Sequence, residues 1–128
     1  MNQKSKTILA LTLLVAVCAF SKDKPKDATV TLQGEIEDSQ CAFNVHSESH
    51  SHDWMIKRGV QSAHDEKSCT AHCVKDMGGS YVLVVKKDIY RLDDQVKAEM
   101  FAGLKVKASG TVDAKTHTLH VYDIEEDK

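Results

Sequence analysis

Five short apolar segments separated by turn signals are the feature that most constrains the fold of this 128-residue chain. Residues 29–37 alternate between apolar and polar side chains, which predicts a half-buried strand. Residues 80–87 are rich in β-branched and aromatic side chains and predict a second strand, and residues 89–92 follow closely enough for a tight hairpin. Residues 104–112 and 119–124 predict the last two strands.

A helix signal lies between the third and fourth of these strands. Asp93 and Asp94 can cap a helix that ends at Gly103, and Gly110 predicts a bulge in the fourth strand. The order strand, insert, strand, strand, helix, strand, strand matches a five-stranded OB barrel, and an open α+β meander is the alternative. We therefore expect a mainly β fold: an OB-like β-barrel with a Cys/His-containing helical insert between strands 1 and 2.

The N-terminal residues have the pattern of a secretory signal peptide. Two lysines precede an uncharged apolar run, residues 7–20, which is too short for an ordinary membrane helix. Small residues favour cleavage after Ala19, so we expect a signal peptide over residues 1–19 and an exported, periplasmic or secreted protein. A lipoprotein anchored through Cys18 is the minor alternative.

The remaining chain predicts one domain without a membrane span. Residues 20–28 read as a flexible tether and residues 29–125 as the OB-like domain, with the insert at 41–79. Removal of the leader and its two lysines leaves 15 of the 17 basic residues against 19 acidic ones, a formal charge of −4. Nucleic-acid binding is not expected, because it depends on a basic surface that neutralises phosphates.

Three cysteines remain after removal of the leader, and an odd number leaves at least one thiol without a disulfide partner within the chain. Cys41 follows the first strand. Cys69 and Cys73 fall on a predicted helix that begins at Ser68 as N-cap and ends before Gly78-Gly79, so they share one face with His72.

The three cysteines predict a metal site. Thiolates four residues apart on a helix can chelate one ion, Cys41 can supply a third sulfur, and an imidazole can complete a tetrahedral set suited to zinc or Cu(I). The candidates for the fourth ligand are His46, His50, His52, His64 and His72.

Two other interpretations of the cysteines stay open. Cys41 could form a disulfide with Cys69 or Cys73 and staple a structural domain whose barrel face binds a peptide or glycan. A thiol redox protein is less favoured, because the spacing is not C-x-x-C and no βαβ pattern surrounds it, and we expect no enzyme activity. An OB barrel binds ligands beside its first and last connections, so His117 and His120 lie near a candidate binding face.

Three stretches of the chain resemble a known family. They are Asp-Ser-Gln-Cys-Ala-Phe-Asn-Val-His (38–46), Ser-Cys-Thr-Ala-His-Cys-Val (68–74) and Gly-Gly-Ser-Tyr-Val-Leu-Val (78–84). The pattern is similar to that of small exported bacterial proteins catalogued as a domain of unknown function. The resemblance implies export, a site that uses Cys41, Cys69 and Cys73, and His46 and His52 rather than His72 as further ligands.

Overall fold

The computed structural model describes residues 28–45, 52–59 and 64–128. The predicted signal peptide, the tether up to residue 27, His46 and His50 lie outside these ranges, as do the side chains of His52 and Asp53. Within the described residues the strands are β1 (Thr29–Asp38), β2 (Tyr81–Val85), β3 (Asp88–Leu92), β4 (Lys105–Asp113) and β5 (Thr118–Glu126). The helices are α1 (Ser39–Ala42), α2 (His52–Lys57), α3 (Glu66–Lys75) and α4 (Gln95–Glu99).

The strands close into a barrel in the order β1-β2-β3-β5-β4, with β4 paired back onto β1. Four of the pairings are antiparallel, and β3 pairs in parallel with β5 through Arg91–Thr118 and Leu92–Leu119. The prediction of a mainly β, five-stranded, OB-like barrel is confirmed, and the open meander is excluded. Helices α1 to α3 form the insert between β1 and β2. Helix α4 lies between β3 and β4 as predicted, but it ends at Glu99 and not at Gly103.

The barrel interior is apolar. Ile36, Leu83, Val106 and Leu119, from four different strands, are fully buried, and each such side chain contributes about 1.5–3 kcal/mol by leaving water. The pairing of β4 with β5 shifts register beside Gly110, as predicted, but the extra residue lies on β5 and not on β4. Ser109 pairs with Asp123 and Gly110 with Val121, which leaves Tyr122 as the residue of the bulge. A Cβ atom at position 110 would overlap the backbone carbonyl of His120, so the close approach of the strands requires glycine there.

Helix α3 begins earlier than predicted. Its N-cap is Asp65, whose Oδ1 accepts the Ser68 N–H at 2.7 Å while Ser68 Oγ accepts the Asp65 N–H at 3.0 Å. The prediction that Ser68 is the N-cap is wrong, because both residue types cap helices and this reciprocal pair places serine three residues inside the helix. None of the helices in the described ranges has the length and apolar character needed to span a membrane.

The parallel seam between β3 and β5 is short, and Asp93 extends it. Asp93 Oδ1 accepts the Val121 N–H at 2.8 Å, and Oδ2 accepts a hydrogen bond from His120 Nδ1 at 3.0 Å. Partial burial opposes ionisation of Asp93, but these hydrogen bonds outweigh it, so its pKa lies below the ordinary value of 3.8. The ionised carboxylate therefore stabilises the closed barrel.

We predict that Asp93→Asn lowers the free energy of unfolding by about 1 kcal/mol at neutral pH, because the hydrogen bonds to a half-exposed charged acceptor weaken. A carboxyl group with a lowered folded-state pKa adds stability above its unfolded pKa, and that stability is lost as the pH falls below 3.8. Urea unfolding of both proteins from about pH 6 to about pH 2.5 should show the difference shrinking with acidification.

Asp123→Asn is the matched control, since Asp123 is an exposed carboxylate on β5, the strand that Asp93 contacts. It should change the stability little at any pH. A difference between wild type and Asp93→Asn that is independent of pH would contradict the role assigned to the Asp93 charge.

Candidate metal centre

The site begins where the barrel ends, at the last residue of β1. Asp38 is fully buried and is the N-cap of α1, and its Oδ1 accepts the backbone N–H groups of Gln40 at 3.0 Å and Cys41 at 2.9 Å. These two bonds turn the chain from strand into helix within three residues. Cys41 is thereby held beside the Asp38 carboxylate.

Hydrogen bonds between the two ends of the insert bring α3 to the same place. The Ser39 N–H donates to the Ser80 carbonyl at 2.8 Å, and the Ser80 N–H donates to Ser39 Oγ at 3.0 Å. The Gly79 N–H donates to the Cys73 carbonyl at 3.0 Å. The end of α3 is therefore fixed against the start of α1, with Cys73 facing Cys41.

The result is a compact group of ligand atoms. A carboxylate oxygen of Asp38, Cys41 Sγ and Cys73 Sγ all lie within 4.8 Å of one another. Cys69 lies one helical turn before Cys73 and shares a buried cluster with it. We call these four residues the Asp–Cys cluster. All three cysteines are free thiols, and Cys69 and Cys73 are buried, with 1% and 6% of their surface exposed.

The surroundings of the cluster favour protonated thiols. Burial, followed by repulsion from neighbouring groups that include the Asp38 carboxylate, raises the pKa of Cys41 above its ordinary value and that of Cys69 to about 12. Burial also raises the pKa of Cys73. A catalytic thiol needs a lowered pKa, so the arrangement suits a bound cation that displaces the protons better than it suits a nucleophile.

Helix α2 covers one side of the cluster. Its Met55 and Ile56 pack against Cys69 and Cys73. The guanidinium of Arg58 lies 5.0 Å from the ring centre of Trp54, the only tryptophan in the sequence. Helix α2 therefore excludes water from the two cysteines of α3 and also carries an aromatic side chain.

The structure brings together the three predicted cysteines but not the histidine inside their motif. His72 Nδ1 donates to Asp76 Oδ2 at 2.7 Å on the outer side of α3, away from the cluster. His64 is exposed ahead of α3. His46 lies outside the described residues, and His52 begins α2 with a side chain that is not described, so both stay predictions.

Asp38 is the cluster residue that the sequence analysis missed. Its signal was present, since an aspartate at the end of a predicted strand and three residues before Cys41 is well placed to cap a short helix. The predicted strand stopped at residue 37, which left Asp38 unassigned.

The two histidines near the expected OB face have partners on β3 or beside it. The His117 ring stacks on Tyr90, with ring centres 5.5 Å apart and planes inclined by 8°. His120 is held by Asp93. Arg91 lies 5.7 Å from the ring centre of Phe43, which follows α1, so the first and last connections both reach β3. These contacts arrange the face but do not identify a peptide or glycan.

Comparison of the chain with protein-family models, curated proteins and solved structures found no match. The resemblance to exported three-cysteine proteins therefore stays a prediction. Function is inferred from the chemistry of the site, since a barrel fold alone does not assign one.

We predict that Asp38→Asn makes Cys41 more reactive in the metal-free, reduced protein. The carboxylate raises the pKa of Cys41 by repelling the thiolate, so its removal should move the pH dependence of alkylation toward lower pH. The measurement is the rate of iodoacetamide labelling of Cys41 against pH, read by peptide mass spectrometry.

Asp76→Asn serves as the control, because it removes an exposed carboxylate at the end of α3 that faces His72. It should leave the labelling profile of Cys41 unchanged. An unmoved or upward-shifted profile in Asp38→Asn would show that the carboxylate does not act on this thiol.

Proposed function

We propose that this protein is an exported binding module whose insert holds a thiophilic metal ion, with zinc as the reference ion. The observation that carries the proposal is the convergence of ligand atoms of Asp38, Cys41 and Cys73 within 4.8 Å, with Cys69 buried beside Cys73. Export is supported by the leader-like N-terminus. The odd number of cysteines is accounted for if all three bind the ion.

The donor set suits zinc. Three thiolates and one carboxylate oxygen give four ligands of the types that Zn²⁺ takes in tetrahedral sites. The N–H groups of Gln40 and Cys41 that bond Asp38 Oδ1 orient the carboxylate toward the two sulfurs, as outer hydrogen bonds do around bound metals. Part of the site is therefore arranged by the fold before an ion arrives.

Histidines of the insert are the alternative source of the fourth ligand. His46 and His52 are the positions that the family resemblance implies, and His52 begins the helix whose Met55 and Ile56 pack on the cysteines. An imidazole from one of them would replace the Asp38 oxygen and complete the Cys₃His set. Single substitutions separate these arrangements.

We predict that the reduced mature protein binds one zinc ion and that the Cys41→Ser/Cys69→Ser/Cys73→Ser variant binds none. Asp38→Asn should weaken binding about 10- to 100-fold if its oxygen is a ligand or orients one. His46→Ala or His52→Ala should produce the larger loss if an imidazole takes that position. Native mass spectrometry gives the stoichiometry, and competition with a chromophoric chelator gives the affinity.

His72→Ala is the matched control, because this histidine lies in the same motif but bonds to Asp76 on the outer side of the helix. It should bind zinc like the wild type. Zinc binding that persists unchanged in the triple cysteine variant would contradict the proposed function.

A disulfide-stapled domain is the second candidate, and the cluster favours one pairing. Cys41 and Cys73 are the two cysteines whose sulfurs belong to the 4.8 Å group, and closing this pair would restrain the insert. The barrel face would then be the site for a peptide or glycan. In this form the protein would keep a single free thiol at Cys69.

Non-reducing peptide mapping of protein recovered from the periplasm tests this candidate. We predict a bridge between Cys41 and Cys73 if the cysteines are oxidised, because Cys69 lies outside the closest group. Three thiols that react with alkylating agents only after a chelator is added would instead support the metal centre.

A further inference from the structure

Helix α2, which covers one side of the Asp–Cys cluster, carries the thioether sulfur of Met55, a soft metal ligand. Three methionines fall within the described residues, and Met77 and Met100 are 52% and 63% exposed. Met55 differs, since it packs with Ile56 against Cys69 and Cys73. A thioether sulfur is thereby placed on the side of the cluster where these two thiols are buried.

The cluster therefore has two chemically different sides. One side is the group of Asp38, Cys41 and Cys73, which includes an oxygen ligand. Cys69 falls outside that group and lies beside Cys73 under α2, where Met55 is the additional ligand type. Cys73 belongs to both sides, and the covered side adds to it the sulfurs of Cys69 and Met55.

A set of two thiolates and a thioether discriminates between metal ions. Thiolate and thioether ligands select Cu(I), which accepts few ligands, whereas zinc takes carboxylate oxygen, imidazole and thiolate. The exposed fractions of Cys69 and Cys73, 1% and 6%, leave little room for the water ligands that divalent ions often keep.

Building on the proposed function, we infer that Cys69, Cys73 and Met55 form a site for monovalent copper, and that Met55 sets the preference of the insert for this ion over zinc. Binding replaces the two thiol protons, which pass to solvent as two copper–sulfur bonds form. The thioether adds a third bond without losing a proton. No electron is transferred, so copper enters and remains as Cu(I).

The test compares Met55→Leu with wild type in the reduced, full mature chain under anaerobic conditions. Cu(I) affinity is measured by competition with a chromophoric Cu(I) chelator, and Zn(II) affinity is measured separately. Leucine nearly conserves the volume, so the cover should stay packed. We expect Met55→Leu to weaken Cu(I) binding roughly tenfold or more, in the range seen when groups supporting a metal are removed, with Zn(II) affinity unchanged.

Met100→Leu is the matched control, since it makes the same exchange at an exposed position after α4 and should alter neither affinity. Asp38→Asn should give the reciprocal result, with weaker Zn(II) binding and retained Cu(I) binding. Unchanged Cu(I) affinity in Met55→Leu, or equal losses for both ions, would overturn the role of the thioether.

The two proposals fail in different ways. Wild-type protein that binds Zn(II) but not Cu(I) would remove the copper inference and leave the proposed function standing. Protein that binds neither ion would remove both. Copper X-ray absorption of the wild type should show sulfur ligands only, and oxygen ligands there would also contradict the inference.

Discussion

Burial of the Asp38 carboxylate at the end of β1 is the constraint on which the insert depends. A charged group out of contact with water is costly unless it is hydrogen-bonded, and here two N–H groups of the following turn bond to one of its oxygens. The same bonds cap α1 and hold Cys41. The Asp38 side chain thus lies at the end of a barrel strand, caps a helix and positions Cys41 Sγ. Its negative charge also raises the pKa values of the three neighbouring thiols.

In the described part of the insert, few apolar side chains are buried within the insert itself. The buried residues of α3 are Cys69, Thr70 and Cys73, and the partly buried Met55 and Ile56 of α2 pack against the two cysteines. Helices of four to ten residues are marginal alone in water, so caps and contacts with the barrel must hold them. The thiols therefore occupy the place of a hydrophobic core, and an ion bound among them would couple its binding energy to the folding of the insert.

The barrel could be predicted from the sequence because period-two alternation fixes which side chains face inward, and the element order then selects the topology. Gly110 was identifiable for the same reason, as a glycine inside a strand pattern. The cysteines were identified by counting. Asp38 was missed, because a four-residue helix has no periodic pattern and the capping position of the aspartate was its only signal. His72 was misleading because it lies on the edge of the helical face that Cys69 and Cys73 share, and an exposed bond to Asp76 holds it outward.

The two ends of the insert meet at the barrel, where the Ser39 N–H bonds to the Ser80 carbonyl at 2.8 Å and Asp38 pairs with Tyr81. The insert is therefore joined to the barrel at a single junction, where its first and last residues are hydrogen-bonded to each other. The entropic cost of closing a loop rises only slowly with its length. A longer or shorter insert at this junction should therefore change the stability of the barrel strands little. The barrel and the insert are thus separable parts of the chain. If the proposed function holds, a different insert between these two strands would change the bound ligand without changing the barrel core.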